Sequence, residues 1–440
     1  MAANSNKPKV SLNFKYPSNR ETIKSGKEWL SGKREDDDAE GLWRIHDDLY
    51  DVSDFIEKHP GGSSWLQLTK GTDITEAFEV HHLSSVPRQT LNQFFIRRAK
   101  HQRNSPFTFE DDGFYRTLKR NIIPVLEKIP KNTYKVSDII TDSLCVATFL
   151  FAIFTCIFCS FACGFISGLL LTFAVIASHN YLHRKDNLRM YLFNLSLLDF
   201  REMRISHALS HHLYTNTIYD LEMSAYEPLL QYLPVHKSLI YKWTSWMCVF
   251  VVWFSLWFLA FISRLRTIIS TKQAYFSDLL PFTLPLAMYL FSGVSLAKVL
   301  EMWIFVIAIS SFCTSAIGFT AGHHHPDVFH EGDAPRSKSV DWGIHQLDTV
   351  GDRREITGNT FLILTTFGDH VLHHLFPTLD HTVLQYLYPT FQKTMEEFNV
   401  KMHMKSQIDS VIGQFRQLNK DKPNDTPPGS SLDFRNLPNG

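Results

Sequence analysis

The 440-residue chain lacks an excess of charge of either sign, with 44 Lys and Arg against 44 Asp and Glu. A net charge of zero gives no case for nucleic-acid binding. Cysteine is missing wherever the chain is polar. All six (Cys145, Cys156, Cys159, Cys163, Cys248 and Cys313) lie in apolar runs, so no disulfide framework is suggested and the polar parts are expected to be cytosolic. Cys156 and Cys159 have CxxC spacing, but in so apolar a run they read as small packing residues rather than a redox pair. The segment from Met1 to Lys7 lacks the apolar core of a cleaved signal peptide, so insertion would use internal segments. No internal repeat is found.

Charge is scarce in the middle of the chain. The mean hydropathy of −0.11 averages polar ends with a nearly uncharged centre. Leu144 to Ala177 is 34 residues without a charge, while one span needs about 20. Cys163-Gly164 and Ser167-Gly168 break it, and two spans are expected over 144–160 and 162–178, joined by a very short turn. Three more apolar segments follow: Trp246 to Ile262, Leu279 to Ala297 and Val299 to Ala321.

Histidine, by contrast, is clustered. His370, His373 and His374 have the i, i+3, i+4 spacing that shares one helix face, so three imidazoles can aim at one point, as for a metal. A lone cluster would read as readily as surface or core histidines. Related groupings occur at His207-Ala208-Leu209-Ser210-His211-His212 and His179-Asn180-Tyr181-Leu182-His183, and Gly322-His323-His324-His325-Pro326 follows the last apolar segment. Histidines on opposite sides of a bilayer cannot share a metal, so one apolar segment must not cross. Trp246 to Ile262 is short, with Trp246, Phe250, Trp253, Trp257 and Phe261 at helical spacing, which suits a helix lying in the interface. Spans three and four are then 279–297 and 299–321, with Arg264, Arg266 and Lys272 cytosolic.

Nearer the N-terminus, Leu42 to His46 and Leu49 to Val52 read as short strands around Asp47-Asp48. His59-Pro60-Gly61-Gly62 presents a histidine at a tight turn where backbone can approach a planar cofactor. His81-His82 lies downstream, and two neutral imidazoles from opposite sides can fill both axial positions of a haem iron, which favours electron transfer. With Tyr50-Asp51-Val52 and Asp73-Ile74-Thr75-Glu76-Ala77-Phe78, the segment from Leu42 to Arg98 resembles the cytochrome b5 domain. The resemblance implies haem b with His59 and His82 as axial ligands and His81 as a neighbour. Phe55, Ile56, Leu66, Leu68 and Leu83 are candidates for the haem pocket or for ordinary core.

Imidazole suits zinc, copper, iron and nickel alike. A one-electron carrier on the same chain has no use for zinc and good use for iron that must be reduced before it meets dioxygen. Eight histidines in three clusters exceed the needs of one ion, so two are expected. Clusters at the ends of membrane helices also stand where an acyl tail can enter from the bilayer.

From about Leu42 to Val400 the chain is similar to the membrane fatty-acid desaturases, and its order of domains to the front-end desaturases, through His179-x-x-x-His183, His207 to His212 with Thr215-Asn216, and His370-x-x-His373-His374-Leu375-Phe376-Pro377. This resemblance implies that His179, His183, His207, His211, His212, His370, His373 and His374 are catalytic iron ligands. His324 matches a further ligand after the fourth span, with His323 or His325 as alternatives. The implied fold is an α+β haem domain followed by an all-α four-span membrane domain with a cytosolic helical cap. The implied activity is oxygen-dependent desaturation of a fatty-acyl lipid, an oxidoreductase reaction using haem b and two non-haem irons. A cytochrome b5 reductase would be the electron donor, and the protein would lie in the endoplasmic reticulum membrane with haem domain and histidine boxes cytosolic. A hydroxylase on the same scaffold and a haem-bearing electron carrier with an inactive metal site are the alternatives. Three features depart from the family pattern: three residues rather than two inside box two, His370 where Gln is usual, and Asn180 where Asp is common. They resemble the insect cytochrome b5-related proteins, a divergent branch.

The expected organisation is a polar tail over 1–40, the haem domain over 41–100, a basic linker over 101–142, the membrane domain over 143–325, a cap over 326–415 with Leu384 to Phe398 an amphipathic helix, and a disordered tail over 416–440. Asp348, Asp352, Arg353 and Arg354 are charges near the third box that could meet a head group or belong to a solvated loop.

Overall fold

The computed structural model describes residues 7–21 and 25–428. The two strand segments pair antiparallel as Trp43–Ile45 and Asp48–Tyr50, and Phe95–Arg98 completes a three-stranded sheet. Against it pack the short helices Ser63–Thr69 and Thr75–His81 around Trp43, Ile45, Tyr50, Val52 and Phe78, with Phe55, Ile56 and Leu66 at the edge. Of the candidates for haem pocket or ordinary core, Leu68 and Leu83 pack with the core of the following domain.

Among the described residues, four helices are long and apolar enough to cross a membrane: Thr133–Ile157, Phe161–His179, Leu239–Thr271 and Leu296–Phe319, with a shorter apolar helix at Phe276–Ser292. The first two form a hairpin whose turn lies at 158–160, with Cys159 at φ +46. The break expected at Gly164 and Gly168 is absent because both glycines lie inside the second helix, where they admit a neighbour. A Cβ at Gly168 would stand 2.7 Å from Ile309, and Ser310 Oγ donates to the Gly168 carbonyl at 2.7 Å. Small residues allow this close approach of helices where water cannot drive packing.

The helix expected over 246–262 is twice that length, Leu239–Thr271. Its terminal charges do not stop it because they find partners: Lys242 pairs with Asp421 at 2.6 Å, and Arg264 pairs with Asp278 at 2.8 Å and with Asp199 at 3.5 Å. Its middle crosses Leu296–Phe319, where Ser311 Oγ donates to the Trp253 carbonyl at 2.8 Å. Asp199 caps the short helix that leads directly into box two. Phe276–Ser292 therefore begins beside that entry. It packs Met288 with Ala152 and Cys156 of the first helix, and the next helix opens with Lys298 over the Phe161 ring at the hairpin turn.

The segments expected as tail and linker are parts of the core. Leu12 and Phe14 are buried with Tyr214 and Tyr219, and the helix Gly26–Asp36 lies on box two, with Gly26 so close to Ile205 that a Cβ would stand 2.8 Å away. In the expected linker, the helix Phe114–Leu126 buries Phe114, Tyr115, Leu118 and Ile122. The cap contains Trp342–Thr349, His370–Leu375, Tyr388–Glu397 and Gln407–Asn419. In the expected C-terminal tail, the Asn424 backbone donates to Asp333 at 2.6 Å, and residues 429–440 lie outside those described.

Candidate metal centre and haem site

His179 ends the second membrane helix, and a turn brings His183 back, so that their Nε2 atoms lie 3.2 Å apart. Box two is a π-helix, Arg204–His211, in which the His212 amide donates to the His207 carbonyl five residues back at 2.9 Å. The wider turn absorbs the extra residue of this box. His207 and His212 consequently share a face, with their Nε2 atoms 3.0 Å apart. In box three, Phe367 and Asp369 take left-handed conformations at φ +55 and +48 before the helix His370–Leu375. Asp352 fixes its start by accepting from the His370 amide at 2.5 Å.

Together these elements make two adjoining groups. His179, His183, His207, His212 and His373 bring ring nitrogens within 4.8 Å of one another, and His211, His323 and His374 do the same. His370 joins the second group, its Nε2 3.1 Å from that of His323. The groups meet where His212 and His374 stack, with ring centroids 4.0 Å apart.

Second ligand atoms are pinned from outside. Nδ1 of His207 meets Glu222 at 3.0 Å, that of His211 meets Asp220 at 2.9 Å, and that of His374 meets Gln346 at 3.1 Å. Such partners fix the tautomer and aim Nε2 at a metal. Burial first, and neighbouring imidazoles second, hold His212, His373 and His374 well below the usual histidine range, so they stay neutral and keep a lone pair for a metal. Burial acts the same way on His211, but Asp220 and Glu222 outweigh it and lift it to about 9. Both nitrogens of His373 and Nε2 of His374 are buried without a hydrogen-bond partner. Converging, orphaned imidazoles of this kind fit metal ions.

The two residues expected to bind haem also fit one. His59 Nδ1 donates to the Gly62 carbonyl and His82 Nδ1 to the Phe78 carbonyl, each at 3.0 Å, which leaves Nε2 of both free. Their ring centroids are 6.1 Å apart. Two imidazoles bound at about 2 Å to one metal would set their centroids about 6 Å apart. His81 instead packs on Trp65.

A family profile described as "Fatty acid desaturase" matches residues 153–406. The chain belongs to that family. A second profile, "Cytochrome b5-like Heme/Steroid binding domain", matches residues 27–100, so a cytochrome b5 domain is fused ahead of the desaturase domain. The chain is similar to the cytochrome b5-related protein of Drosophila melanogaster, 43% identical over 428 residues that cover 96% of this chain and 98% of that one. It is also similar to the probable Delta(5) fatty acid desaturase C of Dictyostelium discoideum, 24% identical over 412 residues that cover 82% and 87%.

In the desaturase domain one expected ligand needs correcting. His323, not His324, enters the centre, with Nε2 3.1 Å from those of both His211 and His370. His324 stacks on Tyr232 with centroids 3.7 Å apart. The cause is the turn after the membrane helix: Gly322 lies so close to Gly351 that a Cβ would stand 2.1 Å from its carbonyl oxygen, and this approach directs His323 inward. His325 faces Asp327 and Asp409, 3.5 Å from each.

Sequence reasoning also missed His381. Its ring lies 4.4 Å from that of His373, and its Nδ1 donates to Asn180 Oδ1 at 2.9 Å. No spacing rule ties it to a box. The loop charges Asp348 and Asp352 face inward, to Arg336 at 2.8 Å and to the His370 amide. Beside the centre lies a cavity of about 190 Å3 lined by Val175, Phe193, Leu256, Trp257 and Phe319, with Glu222 and several of the histidines at one end.

Proposed function

We propose that the protein is an oxygen-dependent desaturase of a fatty-acyl lipid, working at two non-haem irons held by nine histidines and supplied with electrons by its own haem b. The observation that carries the reading is the pair of adjoining imidazole groups opening on an apolar cavity. When bound, reduced irons with dioxygen supply the power to remove hydrogen from an unactivated C–H bond, and a second removal on the adjacent carbon leaves an alkene. The chain's own residues do the rest. Asp220, Glu222 and Gln346 orient imidazoles through Nδ1. Val175, Leu256 and Trp257 hold an acyl chain and exclude water.

The same reading requires every histidine on one side of the bilayer. We take Thr133–Ile157, Phe161–His179, Phe276–Ser292 and Leu296–Phe319 as the spans. Leu239–Thr271 then lies in the interface, since both of its ends pair with residues flanking the boxes or the cap. At 33 residues and 1.5 Å per residue it is about 50 Å long, against a hydrocarbon core of about 30 Å. The haem domain and boxes face the cytosol of an endoplasmic reticulum membrane, where a cytochrome b5 reductase recharges the haem.

Lipid profiling tests this in cells that supply such a reductase and express either wild type or His373→Ala. A lipid with a new double bond that appears only with wild type is expected. A hydroxylated product, or identical profiles, would overturn the assignment.

A further inference from the structure

The haem domain is seated directly on the loops that carry boxes one and two. Arg204, only 2% exposed, opens the box-two helix. Its guanidinium lies over the Trp65 ring of the haem domain at 4.8 Å and donates to Ser64 Oγ at 3.0 Å. The same group donates to the carbonyls of Leu182 at 3.2 Å and Arg184 at 3.0 Å, on either side of His183. Asp186 of the box-one loop receives it at 2.6 Å and approaches the haem-binding turn, since a Cβ at Gly62 would stand 4.0 Å from its carboxylate.

On the haem side, Trp65 packs against the His81 ring with centroids 5.9 Å apart, and His81 is bonded through the backbone to the axial ligand His82. His81 Nε2 is buried and has no hydrogen-bond partner, so that atom does not tie the ring to any neighbour. On the metal side, His183 lies between the two carbonyls that Arg204 holds. Nothing in the ligation of either centre requires an aromatic residue at 65 or 81.

We infer that Trp65 and His81 form the electron path from the haem to the box-one end of the metal centre, with Arg204 fixing the contact. The inference rests on the proposed function. Each passage oxidises ferrous haem to ferric and reduces the metal centre by one electron, and a flavin-dependent reductase restores the haem. Two passages supply half of the four electrons that reduce dioxygen to two waters. The substrate supplies the other two with its two hydrogens, and solvent supplies two protons. Electron transfer slows steeply when packed rings give way to a gap, so contact along this line sets the rate.

The test uses the full-length holoprotein, reduced without oxygen and then mixed with dioxygen, with haem reoxidation followed by absorbance per haem-loaded molecule. Trp65→Leu and His81→Leu are expected to slow the fast phase by roughly tenfold or more, the order by which small misplacements of reacting groups cost rate. The six-coordinate spectrum, haem potential and non-haem iron content should stay at wild-type values. Trp65→Phe, which restores an aromatic ring, should recover most of the rate. Wild-type rates in both Leu variants would overturn the path. His373→Ala separates this from failure of the proposed function. It lies off the path and should abolish the fast phase, and a fast phase that survives in it refutes the metal-centre reading and the path with it.

Discussion

At the scale of single residues, Asn180 shows why one departure from the desaturase pattern suits this chain. Its Oδ1 accepts from the His381 backbone at 3.1 Å and from His381 Nδ1 at 2.9 Å, while its Nδ2 donates to Asp380 at 3.0 Å. A carboxylate could do the first but not the second, and would face Asp380 across a buried contact. Asn180→Asp is therefore expected to lower stability by about 2–4 kcal/mol, from a lost donor and a buried like-charge pair. Thermal unfolding checks this, and an unchanged midpoint would contradict it. Individual roles were readable in the sequence where spacing carries them. The box histidines stand out by their spacing, whereas the choice of His59 and His82 came from the resemblance to the cytochrome b5 domain. His323 did not stand out, because three consecutive histidines differ only in where a terminal turn points them, and that turn is set by Gly322 meeting Gly351, 29 positions away in the chain.

At the scale of elements, box two showed one residue more than the family pattern, and the π-helix that absorbs it lets His207 and His212 share a face. Apolar runs located each membrane helix but not its ends, because charges such as Lys242 and Arg264 continue the helix once they are paired. The packed N-terminal segment was illegible for another reason. Leu12, Phe14 and Trp29 stand among polar residues and find apolar partners far along the chain, in Phe107, Tyr214 and Tyr219. The interfacial position of Leu239–Thr271 predicts that a protease site inserted between Thr271 and Phe276 is cut from the cytosolic side of sealed microsomes. Protection there, with cleavage only after detergent, would contradict it.

At the scale of the whole molecule, buried charges clamp the haem domain to the desaturase domain. Glu79, on the haem-domain helix, meets Arg116 at 2.7 Å as well as His46 and Arg88, and Lys119 donates to its carbonyl at 2.6 Å. Burial pushes its carboxyl up, but these partners outweigh that and hold it down at about 2, against an ordinary 4.5. A carboxyl depressed on folding stabilises above its ordinary value, and that stability is lost as pH falls from about 4.5 toward 2. Glu79→Gln should cost up to about 3 kcal/mol at pH 7, and the gap from wild type should shrink across that acidic window in urea titrations. A gap independent of pH would contradict the clamp. The central claim, that the histidines hold a reducible two-metal centre, is tested most directly by metal analysis of the purified holoprotein. The account predicts about two non-haem irons per haem, with a clear loss in His323→Ala and none in His324→Ala. Zinc in place of iron, or haem iron alone, would contradict it.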